Sequence, residues 1–211
     1  LLADRGYRVV AVSDSSVCVE DAYGLDVAAL REHKDATGTL DDAPVGKLRD
    51  RDDVLTREVD VLAPAALEDA ITPDNAGDVR ARVVLEVANG PVRHDADEIL
   101  DDAGVTLVPH ILANAGGVTV SYFEWVQNRT GMRWSAAKVA DELRDRMLTE
   151  TQAVLGLAQE RDTTIRTAAY AHALQRLGEA RGTGRLEHPN VVPVHVLVRD
   201  DEGSPRMVMK R

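Results

Sequence analysis

The sequence predicts an α/β protein organised around a parallel sheet, and three observations carry that expectation. Short runs of β-branched and aliphatic residues recur between residues 7 and 108, each too short for a helix and bounded by turn-forming residues. Segments with helical spacing of apolar residues separate these runs, and such alternation closes into parallel strands with right-handed crossovers. After Pro109 the apolar residues repeat with a period of about 3.6 over long stretches, which adds covering helices to the sheet.

Taken in order, Leu1 to Arg5 reads as the last turn of a helix, closed by Gly6 at a position that tolerates a left-handed backbone. Tyr7-Arg8-Val9-Val10-Ala11-Val12 then reads as a buried parallel strand that ends in Ser13-Asp14. Asp26 to Lys34 is a short helix, with Val27, Leu30 and Arg31 at helical spacing. Residues 35–58 are polar and rich in Asp, Gly and Pro, and are expected to be loop. Three further strands are expected at Val59–Leu62, Arg82–Val87 and Val105–Val108, linked by helical segments from Pro73 to Val79 and from Asp95 to Ala103. Gly104 closes the second of these helices. Gly116-Gly117 precedes a helix from about Val118 to Asn128. Ser135 is placed to cap a long amphipathic helix reaching Arg161, with Val139, Leu143, Met147, Val154 and Leu157 on one side. A third helix, Thr164 to Leu177, repeats apolar residues at Ile165, Ala169, Ala173 and Leu177.

Composition narrows the class. Aromatic residues make up 3 % of the chain, so the core is built from Val, Leu, Ile and Ala. The formal net charge of −11 opposes nucleic-acid binding, because phosphates are repelled by an acidic surface. Lys occurs only at positions 34, 47, 138 and 210 while the other basic residues are Arg, a bias that suits either life at high salt or a GC-rich genome. One cysteine, Cys18, excludes an internal disulfide and a cysteine-built zinc site. No two of the six histidines stand three or four residues apart, so no helical metal clip is expected. No apolar run approaches the roughly 18 residues of a membrane span, and no membrane partner is expected. The opening residues lack an initiator Met and the basic segment of a signal peptide, so the chain reads as entered midway, and a cytoplasmic location is expected.

In open parallel sheets ligands bind beyond the carboxyl ends of the strands, which directs attention to the residues after each run. The first ends in Ser13-Asp14-Ser15-Ser16, where an acidic side chain commonly accepts from the adenosine ribose of a dinucleotide. The second leads to Ala63-Pro64-Ala65-Ala66, small residues that let a flat ligand approach the backbone. The third ends in Ala88-Asn89-Gly90-Pro91 and the fourth leads to Leu112-Ala113-Asn114-Ala115-Gly116-Gly117. Each cluster alone is ordinary turn or helix-start chemistry. Their common position is what suggests a site, and the carboxamides of Asn89 and Asn114 match the donor and acceptor of a nicotinamide amide.

Three stretches make the resemblance specific: Val61-Leu62-Ala63-Pro64-Ala65-Ala66-Leu67-Glu68, Glu86-Val87-Ala88-Asn89-Gly90-Pro91, and Ile111-Leu112-Ala113-Asn114-Ala115-Gly116-Gly117-Val118-Thr119-Val120-Ser121-Tyr122-Phe123-Glu124-Trp125. Together with Lys34-Asp35-Ala36-Thr37-Gly38-Thr39, they resemble the cofactor domain of glutamate dehydrogenases over residues 1–178. The leucine, valine and phenylalanine dehydrogenases share that fold, but the Val-Ser-Tyr-Phe-Glu-Trp run resembles the glutamate branch. The resemblance implies a Rossmann-like sheet and reversible oxidative deamination of L-glutamate to 2-oxoglutarate and ammonia, with NAD or NADP as cofactor. It implies cofactor contacts from Asp14 and Ser15 near the adenosine ribose, from the small residues Ala65, Ala66 and Ala88, and from Asn89 and Asn114 beside the nicotinamide. It further implies Ser121 on the distal carboxylate of glutamate, with Val118 one helical turn away in the same pocket, and a homo-oligomeric intact enzyme. Asp14 leans towards NAD, since a carboxylate repels a 2′-phosphate.

The same comparison implies what is missing. The family's first strand, its glycine-rich phosphate loop and its catalytic lysine and aspartate have no matching motif here, so no catalytic residue is assigned and the chain is expected to be inactive alone. Val17-Cys18-Val19-Glu20-Asp21 also departs from the glycine-rich turn that the family usually has after Ser15-Ser16. Residues 179–211 resemble instead the end of a regulatory helix and a β-hairpin of a bacterial serine/threonine kinase, with Glu179 at the position of the helix glutamate and a turn at Asp200–Pro205, but without kinase catalytic motifs. Two alternatives stand beside a partial dehydrogenase: a non-catalytic fragment that binds nucleotide or docks on dehydrogenase subunits, and a chimeric reading frame without selected function.

Overall fold

The computed structural model describes residues 2–182, 194–199 and 205–209; for residues 180–182 and the last two segments the description is of backbone alone. The chain divides into two compact units, Leu1–Met147 and Leu148–Arg211.

The first unit holds two sheets. A short 3-10 turn, Ala3–Arg5, is closed by Gly6 at φ +83°, as the helix-end reading expects. Strand β1 (Ala11–Ser13) follows, but it is not parallel to anything: it pairs antiparallel with β2 (Val17–Glu20), which in turn pairs antiparallel with β3 (Lys47–Asp50). The expectation of a parallel strand at Tyr7–Val12 and of loop throughout 35–58 is therefore corrected. The reason lies in Asp14. Its carboxylate accepts from Ser16 N–H (2.9 Å) and Val17 N–H (3.2 Å) while its own N–H donates to the Val17 carbonyl. A turn stabilised this way folds the Val17–Glu20 run straight back onto β1, and a local hairpin closes a shorter loop than a crossover does. Helix α1 (Val27–Thr37) starts on the Asp26 side chain, which accepts from Ala28 and Ala29 N–H, and stops at Gly38. Val19, Leu30 and Leu40 form the buried centre of this sub-structure.

The second sheet is the parallel one. Strands β4 (Val61–Leu62), β5 (Val83–Leu85) and β6 (Thr106–Val108) lie side by side in the order β4-β5-β6. The three later strands are where β-branched runs predicted them, each shortened to its paired centre. The linking helices are α2 (Pro73–Ala76), opened by a reciprocal Thr72–Asn75 capping box, and α3 (Asp97–Asp102), preceded by a 3-10 turn at His94–Ala96. Leu62, Ile71, Val79, Val84, Val92, Leu100 and Val105 form one aliphatic core between sheet and helices. Each such side chain contributes roughly 1.5–3 kcal/mol on leaving water.

Beyond β6 come α4 (His110–Ala113), α5 (Ala115–Thr130) and α6 (Ala136–Glu160). Helix α6 starts after Ser135, whose Oγ accepts from Lys138 N–H at 3.2 Å. Phe123 is buried on α5, with the Trp134 ring 5.4 Å away and the Arg146 guanidinium 5.3 Å from its centroid. That anchor sets the rotation of α5 and leaves Val118 and Ser121 exposed.

In the second unit, α7 (Ile165–Gly182) is tied to the α6 segment through Glu150, which accepts from His172 Nε2 at 2.8 Å and from the Arg176 guanidinium. Strands β7 (Val194–Arg199) and β8 (Pro205–Met209) pair antiparallel. The kinase-like connection at 183–193 and the turn at 200–204 lie outside the described residues. Among the described residues no helix is long and apolar enough to cross a membrane, and no group of three metal-ligating side chains occurs.

Candidate functional site

A cleft of about 880 Å³ opens beyond the carboxyl ends of the parallel strands. Three consecutive strand tips build it. After β4 come Ala65, Ala66, Leu67 and Glu68; after β5 come Val87, Ala88 and Asn89; after β6 come Ile111, Asn114, Ala115 and Val118. The tips are locked to one another by main-chain bonds. Val87 N–H and Ala88 N–H both donate to the Pro64 carbonyl, at 3.1 and 3.0 Å. The Asn89-Gly90-Pro91 turn is pinned from the other side by Asp69 N–H on the Gly90 carbonyl and Ile71 N–H on the Pro91 carbonyl. Gly90 sits at φ +56°, a conformation that costs a side-chain-bearing residue strain.

At the centre lies a pair of carboxamides. Asn114 occupies the junction between α4 and α5, the position where an Asn ordinarily caps the following helix, yet its side chain makes no capping bond. Its Nδ2 donates instead to Asn89 Oδ1 at 2.7 Å and to the Val87 and Ala88 carbonyls, each at 3.3 Å. Two of those acceptors are backbone carbonyls, which cannot donate, so the orientation of the Asn114 amide is settled by chemistry. The pair keeps one acceptor, Asn114 Oδ1, and one donor, Asn89 Nδ2, with no partner among the described residues. A primary carboxamide on a flat ring presents the complementary donor and acceptor. Ala65, Ala66 and Ala88 beside it leave space for such a ring. The residues therefore fit a nicotinamide.

The predicted adenosine end is placed elsewhere. Asp14 does not line the cleft, and both of its oxygens are occupied. Oδ1 accepts from the main chain and hydroxyl of Ser16 and from Val17 N–H; Oδ2 accepts from Lys34 Nζ and from Leu40 N–H at 2.8 Å. Burial alone pushes its pKa up, but the bonds from Lys34, Ser16 and Val17 outweigh it and hold the carboxyl well below the usual range. Ser15 is exposed at the tip of the same turn. Ser121 lies three residues beyond Val118 on α5, exposed, its Oγ donating to the Gly117 carbonyl at 3.1 Å.

Six of the residues singled out in the sequence thus share one cleft: Ala65, Ala66, Ala88, Asn89, Asn114 and Val118. Asp14, Ser15 and Ser121 do not line it. Sequence reasoning passed over Leu67, Glu68, Val87 and Ile111 as lining residues, although all four fall inside the stretches that carry the resemblance. It also passed over Glu86, which stands one residue before the cleft, fully buried.

Comparison with known proteins identifies the family of the chain. Residues 1–184 match the family model of the Glutamate/Leucine/Phenylalanine/Valine dehydrogenases. The NADP-specific glutamate dehydrogenase of Synechocystis sp. is 48% identical over 188 residues, 85% of this chain and 44% of that protein. The NADP-specific glutamate dehydrogenase A1 of Halobacterium salinarum is 49% identical over 189 residues, 87% of this chain and 45% of that protein. Among solved structures, the hetero-hexameric glutamate dehydrogenase of Thermus thermophilus superposes with a TM-score of 0.78 at 36% identity, over 84% of this chain and 42% of that one. The glutamate dehydrogenase of Peptoniphilus asaccharolyticus gives 0.71 at 31% identity, over 87% and 42%. The chain belongs to the Glutamate/Leucine/Phenylalanine/Valine dehydrogenase family, and it spans less than half the length of these relatives.

Proposed function

We propose that this chain is the nicotinamide-holding portion of a glutamate dehydrogenase, an enzyme that deaminates L-glutamate to 2-oxoglutarate and ammonia. The observation that carries the reading is the Asn89–Asn114 carboxamide pair, with one acceptor and one donor that have no partner among the described residues, at the tips of aligned parallel strands. When bound, the nicotinamide supplies the hydride acceptor of the reaction. What these residues do is hold and orient it: the pair grips the ring's amide and fixes which face is turned to substrate, while Ala65, Ala66 and Ala88 let it lie flat. Val118 lines the cleft from α5 and suits the methylenes of the substrate; Ser121 lies one helical turn further along, outside the cleft lining, and would reach a substrate carboxylate only by giving up its bond to the Gly117 carbonyl. Among the described residues no lysine lines the cleft, and the resemblance places the family's catalytic lysine and aspartate outside this chain.

Either NAD or NADP fits the nicotinamide end. The lean towards NAD rested on Asp14, which does not line the cleft and whose oxygens are taken up by the turn, Lys34 and Leu40, so it loses its basis. The two relatives whose names specify NADP favour NADP. The intact enzyme is expected to be oligomeric, as the Thermus protein is. Calorimetry tests the reading: the chain should bind NADP(H) more tightly than the same dinucleotide lacking its nicotinamide, and should not oxidise glutamate alone. Equal affinity for the two ligands would reject it.

A further inference from the structure

We propose that Glu86, which does not line the cleft, is the positioning residue that sets the distance between Asn89 and Asn114; the inference rests on the nicotinamide reading of that pair. Glu86 is the one fully buried charged-type side chain among the described residues. A carboxyl group in such a place costs free energy unless it is hydrogen-bonded, and two of its bonds meet at one corner of the chain. Its N–H donates to the Val108 carbonyl at 3.1 Å, and its Oε2 accepts from His110 N–H at 2.6 Å. The residue that follows β5 thereby grips both sides of Pro109, itself fully buried, where the chain leaves β6 and turns into α4.

That grip is transmitted in two steps. The His110 carbonyl accepts Asn114 N–H at 3.0 Å, so fixing the His110 peptide fixes the backbone of Asn114. The Asn114 side chain then bonds back to Val87, Ala88 and Asn89, the three residues that follow Glu86. The result is a closed frame: Glu86 to His110, His110 to Asn114, Asn114 to the strand tip, and along the chain back to Glu86. An aliphatic side chain at 86 would fill the space but leave the His110 N–H without this acceptor, releasing the α4 corner. The length of the side chain matters as much as its acceptor. Aspartate is one methylene shorter and cannot span to His110 without moving a strand tip.

Glu86→Gln, Glu86→Asp and Glu86→Ala in this chain provide the test. Three readouts are needed: circular dichroism for folding, the Asn114 side-chain amide resonances without ligand, and calorimetric affinities for NADP and for 2′-phospho-ADP-ribose, which lacks the nicotinamide. Glutamine keeps an acceptor oxygen at the same reach and should preserve the preference for NADP within about threefold. Aspartate and alanine should lower that preference on the order of tenfold or more, since displacements of about 1 Å carry such penalties. Affinity for 2′-phospho-ADP-ribose should stay at its wild-type value, which a general loss of structure would not allow. A folded E86D or E86A chain with wild-type preference and unmoved Asn114 resonances overturns the inference, as does a folded E86Q chain that loses the preference. If E86A does not fold, E86D and E86Q decide it on the same readouts. A wild-type chain without preference, combined with Asn114 resonances that move in E86D, would remove the nicotinamide reading and leave the positioning role standing; unmoved resonances would remove both.

Discussion

Replacement of Asp14 should separate its structural role from the ribose role that the resemblance assigns to it. In Asp14→Ala, five hydrogen bonds disappear, but they are not equivalent. The Ser16 and Val17 donors are at an exposed turn and can be taken up by water, at a few tenths of a kcal/mol each. Lys34 is 40% exposed, so its ion pair with Asp14 is screened and worth under about 1 kcal/mol. Leu40 is different: it is 4% exposed, and its N–H loses a buried acceptor, which costs about 1–3 kcal/mol. The sum is roughly 2–5 kcal/mol, or a fall of about 4–20 °C in melting temperature for a chain of this size. Asp14→Asn should be no milder. An amide turned to keep the Ser16 and Val17 bonds presents its NH2 to Lys34 and Leu40, donor against donor. Because the folded carboxyl is held below its ordinary pKa, its contribution is present above the unfolded value of about 3.9 and is lost as pH falls below it. Urea titrations of wild type and D14A between pH 3 and 7 should therefore show a gap that is constant near neutral pH and narrows below about pH 4. A gap that is independent of pH, or a D14N chain as stable as wild type, would refute this account of the turn.

Four other substitutions test the remaining parts. Asn114→Ala removes the donor to Asn89 and the two longer bonds to β5-tip carbonyls; it should cost about 1 kcal/mol of stability and weaken NADP binding roughly 5–30-fold, as read by calorimetry. Gly46→Ala would place a Cβ 2.6 Å from Val19 Cγ1 and 2.8 Å from Leu25 Cδ2 at a backbone φ of +77°, and should destabilise by about 3 kcal/mol. Gly90→Ala, at positive φ with open space around it, should cost only about 1 kcal/mol by the same chemical denaturation. Glu150→Ala removes the acceptor for His172 and Arg176 and should raise amide exchange along α7, with a modest loss of about 1 kcal/mol for so exposed a carboxylate. Glu150 is held below its usual range because those bonds outweigh its burial, so the effect should be largest near neutral pH and fade in acid.

The parts of the fold that could be read in advance share a physical property. Val61–Leu62, Val83–Leu85 and Thr106–Val108 pair within the parallel sheet around a common aliphatic core, and such strands must be continuous β-branched runs, a signal visible without coordinates. The antiparallel sheet sends a weaker signal. Strand β3 is Lys-Leu-Arg-Asp and exposed along its whole length, so no alternation of apolar residues marks it. It is held by ladder bonds and by charges, Arg49 and Arg57 both reaching Glu20 at 2.6 and 2.7 Å. Charge pairs between residues some thirty apart leave no local pattern, and a polar stretch of that kind reads as loop.

The site divides along the same line. Asn89 and Asn114 were legible because topology obliges ligand-binding groups to follow strand ends, and a carboxamide at such a place is chemically pointed. Their mutual bond was not legible, since it depends on how far α4 carries the chain after Pro109. Glu86 illustrates the harder case. A glutamate at the edge of an apolar run reads as the residue that turns outward to water, and every propensity argument favours that reading. The three-dimensional fact that His110 N–H faces it helps make burial the cheaper choice. Asp14 shows the reverse: its place after a strand suggested a ligand contact, but the same side chain is what lets Val17–Glu20 reverse direction, and its oxygens are already filled. A residue can satisfy the local rule for a binding position and still be consumed by the fold, and the number of its acceptors left without partners distinguishes the two.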